Sequence, residues 1–271
     1  MKDTVRQLSR RLGVSTDTIR HYRELGLLHP FIRENGYTAY GPDDMLRILV
    51  TREMRSMDIS LPETQDFLKH RSMRNYNDWL SLRENALHDR IHYLQLELER
   101  LQETKTYASC GVRLLGEVEE FDGPSTWAVS SIGVENPYER GEVLSEWIEH
   151  FPFTYISATI TLEDLLHTKG DTPYRITMGA GALEKYVNTF SLPLPAYAHF
   201  QPGGHFIRTC IVTNDVLHIT PRDIAPLHEY ARAHRMRFTS CTGGRILFME
   251  DNGAAPDYYL LIWVRVESEE S

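Results

Sequence analysis

The sequence predicts an α+β chain in three parts: a small helical front with a hairpin over 1–75, a long helix over 76–108, and a strand-rich back over 109–271. Three observations predict it. Helix-capping signals punctuate the first 75 residues at short intervals. Leucines recur every seven residues from Leu80 to Leu101. Beyond Cys110, strand and helix patterns run through the same order twice.

In the front, Thr4 with Gln7 fits a capping box, and Val5, Leu8 and Leu12 make one apolar edge. Gly13 breaks the chain, and Ser15 caps a second helix that ends before Gly26. "FIRENGYTAY" follows, with Asn35-Gly36 as the turn between two short strands. Pro42 suits the first position of a third helix, in which Met45, Ile48 and Leu49 repeat at helical spacing. Ser60 and Glu63 form a second capping box, with Pro62 inside the first turn. The pattern is a helix–turn–helix with a hairpin wing. Helices this short are unstable alone, so they must share a core.

In the long helix, Leu80, Leu87, Leu94 and Leu101 alternate with Ile91 and Leu98, while Glu84 and Lys105 weaken the two ends of the seam. The strict 3.5-residue period favours a coiled coil between two chains over a helix packed on its own domain. In the back, "TWAVSSIG" reads as a strand, "GEVLSEWIEHF" as a helix, and "TYISATI" and "PYRITMG" as strands. After the Pro/Gly-rich "LPLPAYAHFQPGG" the order recurs as "HFIRTCIV", "PRDIAPLHEYARAHR", "RILFMED" and "YYLLIWVRV", which predicts a duplicated β-α-β-β unit. The final "SEES" reads as a frayed acidic tail.

Composition narrows the function. With 41% hydrophobic and 25% charged residues in 271, the chain is globular and large enough for two domains. Its net charge of −9 is unevenly spread: residues 1–75 hold 13 Lys/Arg against 10 Asp/Glu, and the remainder 16 against 28. A basic front and an acidic back suggest different partners. No apolar run reaches the ~18 residues that span a bilayer. "MKDTVRQLSRRLG" has no apolar signal core, so the cytoplasm is the expected location. Cys110, Cys210 and Cys241 are dispersed, and the nearest histidine pairs are His199/His205 and His228/His234. Neither disulfides, a metal site nor a cofactor is expected.

The second helix, in "STDTIRHYRELGLL", buries at most a narrow edge through Ile19 and Leu25. At about 100° per residue, Ile19 and Tyr22 fall on neighbouring sides while Arg20 and His21 point away. Such outward donors suit a major groove, where arginine bridges guanine O6 and N7 and hydroxyls reach phosphates.

Here a resemblance becomes specific. "TVRQLSRRLGVSTDTIRHYRELGLLHP", "ENGYTAY", "DDMLRI" and "MDISLPETQDFL", covering residues 4–68, resemble the winged helix–turn–helix of MerR-type transcription regulators. The resemblance implies DNA-binding roles for Ser15, Thr16, Thr18, Arg20, His21, Tyr22 and Arg23 on the recognition helix, and for Tyr37 and Tyr40 on the wing. Two departures matter. His21-Tyr22 stands for the usual Tyr-Tyr pair, and Thr38 for the wing arginine, which implies a weaker or differently placed wing contact. The family's members form homodimers through an antiparallel coiled coil, here residues 76–108, and bind palindromic double-stranded promoter DNA. They bend and untwist a promoter whose spacer is too long, and so act on RNA polymerase indirectly.

The back looks like the GyrI-like domain that is also found in multidrug-responsive MerR-type activators. Its usual acidic-then-aromatic pair is displaced: Ile246 and Phe248 occupy the slots, and Glu250 follows. In "YYLLIWVRV", Tyr258, Leu260, Ile262 and Val264 share one face, and Tyr259, Leu261, Trp263 and Arg265 the other. In "TYISATI", Ile156, Ala158 and Ile160 likewise oppose Tyr155, Ser157 and Thr159. A ligand cleft is therefore expected to include Tyr155, Tyr174, Met178, Phe248, Glu250, Tyr259 and Trp263. It would suit flat or bulky apolar effectors, with a carboxylate favouring cations. The leading expectation is a small-molecule-controlled regulator that is not an enzyme. The alternatives are a GyrI-like hydrolase, with Glu250 or Glu163 as general base, and a drug-sequestering binder.

Overall fold

The computed structural model describes residues 2–34, 36–70, 72–135, 137–166, 171–251, 253 and 255–269. They divide into two compact units, Met1–Ile91 and His92–Ser271. No helix among the described residues is long and apolar enough to cross a membrane.

In the first unit, helix α1 (Val5–Leu12) starts at Thr4, whose hydroxyl accepts the Gln7 N–H at 3.3 Å while Gln7 Oε1 accepts the Thr4 N–H at 2.9 Å. Gly13, at φ +62°, closes it. Helix α2 (Thr16–Glu24) starts at Ser15, whose Oγ accepts the Thr18 N–H at 3.0 Å. The wing is β1 (Phe31–Ile32) against β2 (Thr38–Ala39), with Phe31 opposite Ala39. Asn35 of the expected turn lies outside the described residues; Gly36 donates its N–H to Arg33 O at 2.8 Å. The start of the chain adds a third edge, for Asp3 and Tyr40 exchange backbone hydrogen bonds at 2.9 and 2.8 Å.

Helix α3 (Pro42–Ser56) has proline in its first turn. The carboxylate of buried Asp44 accepts the His29 N–H at 2.7 Å and the Gly41 N–H at 3.0 Å, which ties the chain leaving α2 to the start of α3. Helix α4 (Leu61–His70) carries the reciprocal Ser60–Glu63 cap. Leu8, Ile19, Tyr22, Leu27, Tyr40 and Ile48 form the shared core that the short helices require.

Helix α5 (Met73–Arg113) runs 41 residues. It begins earlier than expected because Ser72 and Asn75 cap it, the Asn75 Oδ1 accepting the Ser72 N–H at 3.1 Å. Leu80 is half-buried, and the later apolar side chains of the heptad series stand in solvent. Leu87 and Ile91 of the first unit, and Leu94, Leu98 and Leu101 of the second, are 44–64% exposed.

The second unit is an eight-stranded antiparallel sheet of β3 (Glu119–Gly123), β4 (Thr126–Ile132), β5 (Thr154–Ile160), β6 (Ile176–Leu183), β7 (His199–Gln201), β8 (Gly204–Thr213), β9 (Met236–Asp251) and β10 (Pro256–Ser268), in the order β3-β8-β10-β9-β5-β6-β4-β7. Helices α6 (Gly141–Glu149), α7 (Leu162–Leu165), α8 (Glu184–Phe190) and α9 (Ala225–Ala233) complete it. Leu260, Ile262 and Val264 meet Ile207 and Met178 beneath α7 and α9 on one face. On the other face Tyr155, Phe206, Leu261 and Trp263 pack with Cys110 and Tyr107 of α5.

Two glycines make that second face possible. Gly181 lies opposite Tyr155 and Gly243 opposite Trp263. A Cβ on Gly181 would sit 2.7 Å from the Tyr155 ring, and one on Gly243 would sit 2.2 Å from the Trp263 indole. Both rings therefore lie close over bare backbone. This also explains why β6 runs on to Leu183 through a glycine-rich stretch in which the residue pattern ends a strand at Gly179.

Candidate functional site

Two sites carry the functional reading, one in each unit. On α2, Ser15, Arg20, His21 and Arg23 face solvent, and Thr16 and Thr18 are half-buried. The Ser15 and Thr18 hydroxyls lie 2.8 Å apart within the cap, so their first task is to start the helix. Arg20 Nη1 meets Asp17 Oδ1 at 3.0 Å, a solvent-exposed pair that holds the guanidinium only weakly. On the wing, Tyr37 is 70% exposed and Thr38 half-buried.

Tyr22 and Tyr40 depart from the expectation, for both side chains are buried in the core. Tyr22 follows Ile19 by three residues and so shares its inward stripe. Tyr40 is turned inward where its backbone pairs with Asp3. Burial raises the Tyr40 pKa, and a hydrogen bond with Arg23 partly opposes this. The two rings support the surface that carries the outward donors. Sequence reasoning passed over the cations beside the wing: Arg33 Nη2 donates to Lys2 O at 2.8 Å, and Lys2 Nζ stands 3.8 Å from the Phe31 ring centroid.

In the second unit, Tyr155 and Trp263 do line one cavity, together with Tyr107, Phe206, Leu261 and Arg245. Its volume is about 20 Å³, room for about one water. The Trp263 indole N–H donates to Gln201 Oε1 at 2.8 Å, and burial raises the Tyr155 pKa.

Tyr174, Met178, Phe248, Glu250 and Tyr259 are not brought to this cavity. Tyr174 and Met178 belong to the core on the opposite face, beneath α9. Burial pushes the Tyr174 pKa up to about 12. Phe248, Glu250 and Tyr259 sit toward the far end of the β9–β10 hairpin, where Phe248 is 61% exposed and the Tyr259 hydroxyl donates to Glu250 Oε2 at 3.2 Å. Tyr259 shares a face with Trp263, but four residues of strand carry it roughly 13 Å away. Glu163 is on α7, again on the opposite face.

Arg245 replaces the expected carboxylate. It is 8% exposed, its Nη2 donates to Thr104 Oγ1 at 3.2 Å, and its Nη1 has no partner among the described residues. The Tyr107 and Tyr155 ring centroids flank the guanidinium at 5.0 and 5.2 Å. Burial, and secondarily the charge of Arg100, lower its pKa to about 10, which still leaves it protonated at neutral pH.

A thiol–imidazole contact also escaped the residue pattern: Cys241 Sγ lies 2.6 Å from His199 Nε2. Burial pushes the thiol up to about 12 and lowers the imidazole, so both stay neutral and no thiolate is generated. Among the described residues, no three or more His, Cys, Asp or Glu side chains are grouped to hold a metal ion.

With this geometry in view, the comparisons with known proteins fall into two parts. Residues 4–71 match the MerR HTH family of regulatory proteins. These residues form a MerR-family helix–turn–helix domain. A Haemophilus influenzae protein named a "probable heavy metal-dependent transcriptional regulator" is 29% identical over 104 residues, which span 36% of this chain and 81% of that protein. Among solved structures, the DNA complex of EcmrR covers 98% of this chain and 100% of its own at 12% identity and a TM-score of 0.37. A hydrolase from Listeria innocua covers 62% of this chain and 98% of its own at 9% identity and a TM-score of 0.39. Likenesses as loose as these last two carry no argument about the second unit. The MerR-family domain is a DNA-binding regulatory module, and α2 is its second helix.

Proposed function

We propose that this chain is a ligand-responsive transcription regulator that binds double-stranded promoter DNA as a homodimer. The observation that carries the reading is the outward face of α2, where Arg20, His21 and Arg23 stand in solvent over a buried Ile19–Tyr22 stripe. The exposed heptad side chains of α5 support dimerisation, since a row of leucines in water is an unpartnered interface. A two-fold dimer calls for a palindromic site, and RNA polymerase is affected through distortion of the promoter.

The strand orders β4-β6-β5 and β8-β10-β9, each with a helix after its first strand, support a duplicated β-α-β-β unit of the GyrI-like kind. The cavity over Tyr155 and Trp263 is the effector site of this reading, and the cytoplasm is the location it implies. The effector controls the protein by binding the active conformation more tightly than the resting one.

Selection of duplexes from a randomised pool by the full chain tests the proposal. An enriched inverted repeat, bound by two chains, is the expected result; no enrichment at low salt contradicts it and leaves a sequestering binder.

A further inference from the structure

The charges around the cavity are unevenly satisfied. Arg208 is held by Glu119 at 2.7 Å and Arg100 by Glu103 at 2.9 Å, and Glu103 is shared with Lys185 at 2.6 Å. Arg245 has no carboxylate partner among the described residues. One of its nitrogens lacks any hydrogen bond, and so does the buried hydroxyl of Ser157, its cross-strand neighbour. A buried guanidinium without a counter-charge is costly, and the cost is removed when an anion arrives. A cation in the same place would meet the guanidinium of Arg245, which no carboxylate touches and which Glu103, already held by Arg100 and Lys185, offsets only from a distance. Apart from Thr126 and the Glu119-paired Arg208, the remaining wall, with Tyr107, Tyr155, Phe206 and Trp263, is mostly aromatic and apolar.

We infer that the effector held by the second unit is a flat aromatic carboxylate, whose two oxygens take the unpartnered side of the Arg245 guanidinium while its rings lie among Tyr107, Tyr155 and Trp263. This inference rests on the regulator reading above and reverses the cationic ligand that the sequence suggests. The carboxylate forms a charge-assisted pair with Arg245. Because the cavity holds about 20 Å³, the ligand binds by displacing rim side chains.

The test is calorimetric titration of the full chain with three probes on one ring system: naphthalene-2-carboxylate, neutral 2-naphthamide and cationic 2-naphthamidinium. The carboxylate is expected to bind about tenfold or more tighter than the amide, with the amidinium weakest. Arg245→Gln is expected to weaken the carboxylate about 30-fold while leaving the amide within about threefold. Arg245→Lys keeps the charge without the fork and falls between. Thermal unfolding of each variant reports that it is folded.

Equal or tighter binding of the amidinium, a carboxylate affinity that ignores Arg245→Gln, or no binding of the carboxylate each overturns the inference. A repeat with the selected duplex present separates it from the regulator reading. Amide or amidinium that binds and shifts DNA affinity leaves a regulator with a different effector. Carboxylate that binds through Arg245 without shifting DNA affinity leaves the pocket chemistry and removes the regulation.

Discussion

Arg20 and Arg245 bring the same guanidinium into opposite surroundings. Arg20 stands on a helix face, 56% exposed and loosely paired with Asp17, where water carries the cost of its charge. Arg245 is 8% exposed between two tyrosine rings with one nitrogen unpartnered. On the proposed reading the contrast separates two kinds of partner. The exposed cations of the first unit suit a polyanion such as duplex DNA, and the dry cation of the second suits a single small anion.

Changes to the two regions sharpen this contrast, from the largest effect to the smallest. Ile19→Ala removes the fully buried residue beneath the α2 face and is expected to cost about 2–5 kcal/mol. The loss will appear in hydrogen exchange as opening of the first unit with the second still protected. Equal exposure of both units would break the separation.

Arg245→Met replaces a buried charge by an apolar side chain and is expected to stabilise the ligand-free protein by about 1 kcal/mol in urea unfolding. A fall in stability would mean that Arg245 is a structural keystone and not a group awaiting a partner.

Glu119 gives the pH-dependent contrast. Burial alone would raise its carboxyl pKa, but hydrogen bonds from Arg113 and Arg208 outweigh this and hold it below 4.5. A carboxyl whose folded pKa is depressed contributes fully above its unfolded value and loses that contribution as pH falls through the folded one. The stability gap between wild type and Glu119→Gln should therefore be open at pH 7 and narrow below 4.5 in urea melts. A gap that widens on acidification would reverse the sign. The smallest effect is Arg20→Ala, within about 0.5 kcal/mol of wild-type stability.

Much of the first unit was legible because its signals are local. Thr4 with Gln7, Ser15, and Ser60 with Glu63 sit within a few residues of the groups they cap, and Pro42 opens its own helix; each does so in the fold. Tyr22 was misread because its hydroxyl argued for an outward role while its spacing from Ile19 decided the inward one. In the second unit the side-chain alternation of β5 and β10 was visible, which found Tyr155 and Trp263. Alternation gives a face and not a distance along it, so Tyr259 was grouped with Trp263. Strand β7 was hidden in a Pro/Gly-rich passage because its pairing depends on β4, far away in the chain. Arg245 was hidden for the same reason: its neighbour Thr104 is 141 residues away, and no local pattern marks an arginine that will be buried.

Fluorescence anisotropy of a selected duplex, titrated with wild type and with the combined Arg20→Ala, His21→Ala and Arg23→Ala variant across a salt series, tests the DNA-binding face most directly. The expected result is a loss of about 100-fold or more, with a salt slope shallower by about one for each phosphate contact removed and unfolding unchanged. Affinity within about twofold of wild type at every salt concentration would contradict the assignment of α2 as the groove-facing helix.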